Sequence, residues 1–252
     1  MRKIRVVLPA YNEEESLPQL LKRLEKTFQE FNLNMEILVV NDGSTDNTLS
    51  IAKNFNGSVS VKVFDQQPNK GLAEAMRNGL SEGIKDLEGN DILVTMDADD
   101  SQNPFLINRM VHQIREGSDL VIASRYQHGA KIVGLTVWRR FLSWGAGLMF
   151  RVVVRLGGVK DYTCGFRAYK VVLLKKAMDY YGKRFIEQKG FGCMAEILLK
   201  LKRFHPIINE VPMILRYDQK IGESKMKVNR TIKQTFLLLF KFLKTSGFNK
   251  GY

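Results

Sequence analysis

The sequence predicts an α/β protein built on a doubly wound, mostly parallel sheet, and three observations carry that prediction. Short apolar runs recur through the first half of the 252-residue chain, at Ile4–Leu8, Glu36–Val40, Val59–Phe64, Asp91–Met96 and Asp119–Ala123. Between them lie segments with apolar residues at helical spacing, joined to the runs by short connections. The runs are nearly continuous rather than alternating, as expected of parallel strands covered by helices on both faces.

The elements follow in order. Met1-Arg2-Lys3 leads into strand one, whose apolar core is too short for a signal peptide and ends in the polar segment Tyr11-Asn12-Glu13. Ser16, before Leu17-Pro18, is positioned to cap a helix over Ser16–Phe31. The second strand ends at Asp42-Gly43-Ser44-Thr45-Asp46, a turn that opens a helix over Asp46–Asn54. The third ends near Asn69-Lys70-Gly71-Leu72, before a helix over Gly71–Leu87. The fourth runs into Asp97-Ala98-Asp99-Asp100, and Asn103-Pro104 turns into a helix over Pro104–Glu116. Beyond residue 124 the pattern becomes amphipathic helical, with a short return of strand near Ile207–Leu215. In such a sheet, ligands bind beyond the strands' C-terminal ends, where the polar loops after strands one, two and four open.

The chain is 44% hydrophobic, enough to bury a full core. Cys164 and Cys193 stand alone, with no spacing suited to a disulfide framework or zinc, which fits a reducing, cytoplasmic setting. No uncharged apolar stretch approaches the ~20 residues that span a bilayer. The formal net charge is +13. Residues 131 to 160 hold six basic side chains and no acidic one, interleaved with Trp138, Phe141, Trp144, Leu148, Met149 and Phe150. Residues 216 to 252 hold nine basic against two acidic residues, around the apolar run Phe236 to Phe240. Cations mixed with large aliphatics and Trp suit a membrane surface better than a base-stacking platform. Ile232, Phe236, Leu239, Phe240 and Leu243 recur at helical spacing beside Lys233, Lys241 and Lys244, predicting an interfacial helix.

Asp97, Ala98, Asp99 and Asp100 crowd three carboxylates into a basic protein, so something cationic belongs there. At a strand end Asp97 and Asp99 project to one side, within reach of one hard divalent ion that leaves positions for phosphate oxygens. An EF-hand loop is a poorer fit, because counting from Asp97 puts Gln102 where that loop needs Gly and Asn108 where it needs Glu. His112, His128 and His205 show no partner spacing and read as surface or satisfied core residues.

With these four loops, Pro9-Ala10-Tyr11-Asn12-Glu13, Asn41 to Thr48, Asn69 to Leu72 and Asp97 to Pro104, the chain resembles the family 2 glycosyltransferases. These are inverting enzymes of GT-A fold that use nucleotide sugars. Within them it is similar to the polyprenyl-phosphate glycosyltransferases, the subgroup of the dolichyl-phosphate mannose synthases. Ser124-Arg125-Tyr126, Arg139 with Ser143, Gly165-Phe166-Arg167-Ala168-Tyr169 and Gly222-Glu223-Ser224-Lys225 match subgroup segments. In that pattern the DxD motif continues with a hydrophobic residue, then Ser or Gln, then a nearby proline. Here Asp100 stands at the hydrophobic position, Ser101 follows it, and Pro104 is present.

The resemblance implies that Pro9, Ala10, Tyr11, Glu13 and Asp42 hold the nucleoside. It implies that Asp97, Asp99 and Ser101, with Ala98 beside them, hold Mg²⁺ or Mn²⁺ on the diphosphate, and that Asp99, Arg125 and Arg139 are catalytic. Arg125 serves the donor phosphates; Arg139, Ser143, Lys225 and a basic residue at Arg216 or Lys220 serve the acceptor phosphate, the choice between the last two being open. Residues 1–229 then form a GT-A catalytic domain, with a nucleotide-sugar half to about 125 and an acceptor half from about 126, and residues 230–252 form a C-terminal amphipathic helix and tail.

The expected reaction is metal-dependent transfer of a hexose, mannose from GDP-mannose, to a polyprenyl or dolichyl phosphate at the cytoplasmic membrane face. The expected partners are these substrates, the membrane surface and, where one exists, a small anchoring subunit. A phosphate with second pKa around 6 is already mostly dianionic at neutral pH and attacks without a base, so Glu196 reads as structural or arginine-pairing rather than as a general base. The alternatives are UDP-glucose or another donor with a different acceptor and, from another class, a basic nucleic-acid-binding protein. The latter explains the charge but not the four loops. A processive polysaccharide synthase is disfavoured by the lack of a QxxRW segment and of spanning helices.

Overall fold

Nine strands are present among the described residues, which are 2–134 and 156–216 with Asp218 and Phe240, in a computed structural model of the chain. They are β1 (Ile4–Ala10), β2 (Met35–Asp42), β3 (Val61–Gln66), β4 (Ile92–Thr95), β5 (Leu120–Ser124), β6 (Lys131–Val133), β7 (Arg167–Lys170), β8 (Ile208–Pro212) and β9 (Ile214–Arg216). Seven form one sheet in the order β3-β2-β1-β4-β7-β5-β8. Every pairing in it is parallel except those of β7, which runs antiparallel to both β4 and β5. The remaining two, β6 and β9, pair with each other in parallel.

The predicted doubly wound sheet is therefore present, with one strand the sequence reading did not anticipate. Arg167-Ala168-Tyr169-Lys170 is short and ends in charges, so it carries little strand signal, yet Arg167 and Tyr169 are fully buried. The single strand expected over Ile207–Leu215 is two strands, divided at Met213 between the two sheets. The third strand begins two residues later than expected, at Val61.

The helices are α1 (Leu17–Glu30), α2 (Thr48–Lys53), α3 (Leu72–Gly83), α4 (Leu106–Arg115), α5 (Val171–Tyr181) and α6 (Gly192–Leu201). Gly79 and Gly83, one turn apart, bring α3 close to the sheet: a Cβ on either would stand 2.6 Å from Val7 or Leu93. Helix α6 is buried on nearly every side, leaving Lys200 partly exposed, and so departs from the expected amphipathic pattern. Ser16 precedes α1 but makes no capping bond; its hydroxyl is used elsewhere, as described below.

At the sheet's N-terminal edge a buried ion cluster joins β1, β2 and the segment after α3. Arg5 is paired with Glu36, and its Nη2 lies 2.9 Å from Asp86 Oδ2. Its Nη1 donates to the Gly83 carbonyl at 2.8 Å. Burial alone would raise the Glu36 carboxyl, but hydrogen bonds from Arg5 and Lys3 outweigh it and hold Glu36 below its ordinary range.

The helix expected at the C-terminus and the aromatic segment near Trp138–Phe150 lie outside the described residues, as do Arg139, Ser143, Lys220 and Lys225.

Candidate active site

Strand order reverses direction at β1, which lies between β2 and β4, so the crevice beyond the C-terminal ends of β1 and β4 is the ligand position of this topology. The loops after β1 and β2 are stitched together there. Asn12, at φ 51, donates its backbone N–H to Ser44 Oγ at 3.0 Å and accepts from the Thr45 N–H at 2.8 Å. The Glu13 N–H donates to Thr48 Oγ1 at 2.7 Å, and the Glu14 N–H to Asp46 Oδ2 at 3.1 Å. Asp46, two residues ahead of α2, in turn accepts from the Thr48 N–H and hydroxyl.

Asp42 is buried at the end of β2 and ties the second loop to the third. Oδ1 accepts from the Gln66 amide and from the Lys70 N–H at 2.8 Å. Oδ2 accepts from the Gly71 N–H at 2.8 Å and Asn69 Nδ2 at 3.0 Å. Four donors on two oxygens make Asp42 the organiser of this corner. The next residue, Gly43, has φ 64, and a Cβ there would sit 2.3 Å from the Asn69 backbone nitrogen, so only glycine fits.

The carboxylate loop after β4 is braced from several sides. Gln102, itself buried, grips Asp97 with both ends of its amide: Nε2 donates to Asp97 Oδ2 at 2.7 Å, and Oε1 accepts the Asp97 N–H at 3.1 Å. Asp99 Oδ1 accepts from Ser101 Oγ at 2.6 Å and from the Ser101 N–H at 3.2 Å. Ser16 Oγ donates to the Ala98 carbonyl at 3.1 Å and to Glu13 Oε2 at 2.9 Å, linking this loop to the first. The Arg216 N–H donates to the Ser101 carbonyl at 3.0 Å, which brings the end of β9 beside the same loop. The Arg216 guanidinium pairs with Asp218, Nη2 to Oδ2 at 2.8 Å. Asp100 turns away from its two neighbours: it sits at φ 54 and pairs with Arg23 of α1.

Two aspartates and a serine hydroxyl are hard oxygen donors. Among the described residues no group of three His, Cys, Asp or Glu side chains could hold a metal ion by itself. The donor set fits a hard divalent cation that takes its other oxygens from a bound diphosphate and water, and does not fit an all-protein cage.

Arg125, just past β5, is locked to Asp161, a buried residue not singled out in the sequence. Nε donates to Asp161 Oδ2 at 2.8 Å and Nη2 to Oδ1 at 2.7 Å, while Nη2 also reaches Thr163 Oγ1 at 2.6 Å. Asp161 further accepts the N–H groups of Arg125, Thr163 and Cys164. Burial opposes charge on both partners, yet their attraction wins: Arg125 is pushed well above its usual range and Asp161 held below its own. Burial pushes the adjacent Cys164 thiol up to about 12, leaving it inert as a nucleophile.

Glu196 is likewise committed. Oε2 accepts the N–H groups of Glu187 and Gln188 at 2.8 and 2.7 Å, and Oε1 lies 2.8 Å from Lys200 Nζ. Both of its oxygens are engaged, with lysine rather than arginine as its ionic partner. Pro9 and Ala10 close β1 and Asp42 closes β2, Tyr11 and Glu13 follow β1, Asp97, Ala98, Asp99 and Ser101 follow β4, and Arg216, at the end of β9, reaches the last of these loops through its N–H on the Ser101 carbonyl. The sequence reading missed Asp161, Gln102 and Arg23. Arg23 lies on an ordinary helix face, whereas the signal for Gln102 was its place within the DxD loop.

A profile described as Glycosyl transferase family 2 matches residues 5–177. A dolichol-phosphate mannosyltransferase of Pyrococcus furiosus is 32% identical over 97% of this chain, which spans 65% of that relative's length. An undecaprenyl-phosphate mannosyltransferase of Micrococcus luteus is 35% identical over 89% of this chain and 87% of its own. A polyprenol monophosphomannose synthase of Mycolicibacterium smegmatis is 31% identical over 88% of this chain and 80% of its own. Among solved structures, glucosyl-3-phosphoglycerate synthase of Mycobacterium tuberculosis, in complex with Mn²⁺ and UDP-glucose, superposes with a TM-score of 0.68 at 20% identity, covering 96% of this chain and 79% of that one. That likeness is one of fold.

Proposed function

Because this chain belongs to the family 2 glycosyltransferases, and is a glycosyltransferase of GT-A fold, we propose that it moves mannose from GDP-mannose onto the phosphate of a long polyprenol, with inversion and with a divalent metal ion, at the cytoplasmic face of a membrane. The observation that carries this reading is the meeting of the DxD loop, the Asp42 corner and Arg216 at one edge of the sheet. Three relatives, each named as a transferase of mannose to a polyprenyl or dolichyl phosphate, supply the substrate class.

In this reading Pro9, Ala10, Tyr11, Glu13 and the corner organised by Asp42 receive the nucleoside. Asp97, Asp99 and Ser101 hold Mg²⁺ or Mn²⁺, which when bound neutralises charge on the departing diphosphate. Arg125 presents a fixed cation near the same edge, and the acceptor phosphate is assigned to Arg139, Ser143, Lys225 and one of Arg216 and Lys220. An acceptor phosphate oxygen attacks the anomeric carbon while the bond from that carbon to the diphosphate breaks, the bonding pair leaving with the diphosphate. No proton needs to move. Of the three buried carboxylates described beyond residue 125, Asp161 and Glu196 are consumed on both oxygens by structural hydrogen bonds and Glu210 accepts the Lys160 and Asp161 N–H groups on Oε1, which suits an acceptor that is already anionic.

Among the described residues no helix is long and apolar enough to cross a membrane, so contact with the lipid's phosphate falls to the basic, aromatic-rich segments at 131–160 and 216–252. The test is a screen of GDP-mannose, UDP-glucose and other nucleotide sugars against a short polyprenyl phosphate, with and without EDTA. Mannosyl transfer that EDTA abolishes is expected. Transfer from UDP-glucose alone would replace the donor, and undiminished turnover in EDTA would remove the metal.

A further inference from the structure

Asp100 is where the chain departs from the pattern of its subgroup, and the structure gives that departure a partner. Its Oδ1 lies 2.5 Å from Arg23 Nη1, whose side chain is 29% exposed where that of Asp100 is 9% exposed. Arg23 Nη2 also reaches Asn103 Oδ1 at 3.3 Å, so one guanidinium from α1 spans the loop between Asp100 and Asn103. The backbone at Asp100 is left-handed, φ 54, a conformation that Asp and Asn adopt more readily than larger side chains.

We propose that Arg23 is a positioning residue that, by pairing with the buried Asp100, keeps the DxD loop in shape for its cation, a proposal that rests on the reading of Asp97 and Asp99 as metal-holding groups. The reversal at Asp100 separates Asp97 and Asp99 on one side from Asn103-Pro104 and α4 on the other. Drawn inward by Arg23, the third carboxylate lies against α1 at the reversal, and Arg23 offsets its charge there. A buried carboxylate deprived of its cation is strongly unfavourable and would turn out to water, taking the loop with it. The converse loss is milder, because Arg23 already reaches solvent.

That asymmetry is what the experiment reads. Binding of Mn²⁺ in the presence of GDP, and separately UDP, is measured by the electron paramagnetic resonance signal of free Mn²⁺, for the full chain and for Arg23→Met, Asp100→Asn and the double variant. Urea unfolding without metal follows the fold. Arg23→Met is expected to weaken Mn²⁺ binding roughly tenfold to a hundredfold, the range seen when groups orienting metal ligands are removed. Asp100→Asn keeps the left-handed turn without a buried charge and is expected to bind within a few-fold of the unaltered chain. The double variant should return to the level of Asp100→Asn, even where Arg23→Met alone proves unstable. Unchanged Mn²⁺ binding in Arg23→Met, or a double variant no better than Arg23→Met, overturns the brace. Absence of Mn²⁺ binding by the unaltered chain with either nucleotide overturns the metal reading itself, and the brace with it.

Discussion

Single side chains divide here into groups proposed to hold substrate or metal and groups consumed in holding the loops together. Asp99→Ala removes a loop carboxylate and no core volume, so transfer should vanish while the urea midpoint and near-ultraviolet circular dichroism stay unchanged; near-normal turnover would take Asp99 out of the site. Asp161 offers the opposite signature. Asp161→Asn leaves Arg125 buried beside a neutral amide, and losing one partner of a buried ion pair is worth about 3–5 kcal/mol of stability, to be read by urea unfolding. Were Asp161 a base, turnover would fall with stability preserved. Glu196→Gln should keep transfer within about tenfold, since loss of a true general base typically removes a hundredfold or more. The four loops were legible in the sequence because each ends a strand and carries polar residues of one chemical kind. Asp161, Gln102 and Arg23 were not, because their roles come from neighbours such as Arg125 and Asp97 that the sequence alone does not orient.

Elements differ in how plainly the sequence announces them. Strands β1, β2, β4 and β5 are continuous apolar runs and were read to within two residues, and the helices between them follow from spacing. Strand β7 was hidden, because it is four residues long, charged at both ends, and acquires its place only from two partners distant in the chain. The close seat of α3 was also hidden, since Gly79 and Gly83 look like weak points in a helix until the sheet is placed against them. The ion cluster at the base of β1 yields a prediction with a definite sign. The folded Glu36 carboxyl is held below its unfolded value of 4.5, so the stability it contributes is complete above that pH and is lost as pH falls through the lower folded value. Glu36→Gln should flatten the fall of unfolding free energy below about pH 4.5, the ordinary range of a glutamate. An acid limb identical in both proteins would show that Glu36 is not its source.

At the scale of the whole molecule, a formal charge of +13 with its cations gathered in segments 131–160 and 216–252 predicts salt-sensitive association with anionic vesicles. Co-sedimentation with such vesicles should be strong at low salt, weaken as ionic strength rises, and drop in a chain ending at Asn229; equal pelleting of both chains would assign the contact elsewhere. The sheet itself has a consequence for how the chain acquires its shape. Strand β5 pairs with β7 and β8 alone, and β4 meets β5 only through β7, so the sheet continues across the boundary near residue 125. A chain ending at Arg125 carries β1 to β4 but leaves β5 without a neighbour, an apolar strand with both edges open to other chains. Completion waits until residues 167–170 emerge and insert between strands already made, a long loop closure that should set the pace of folding and make fragment 1–125 aggregate where the full chain does not.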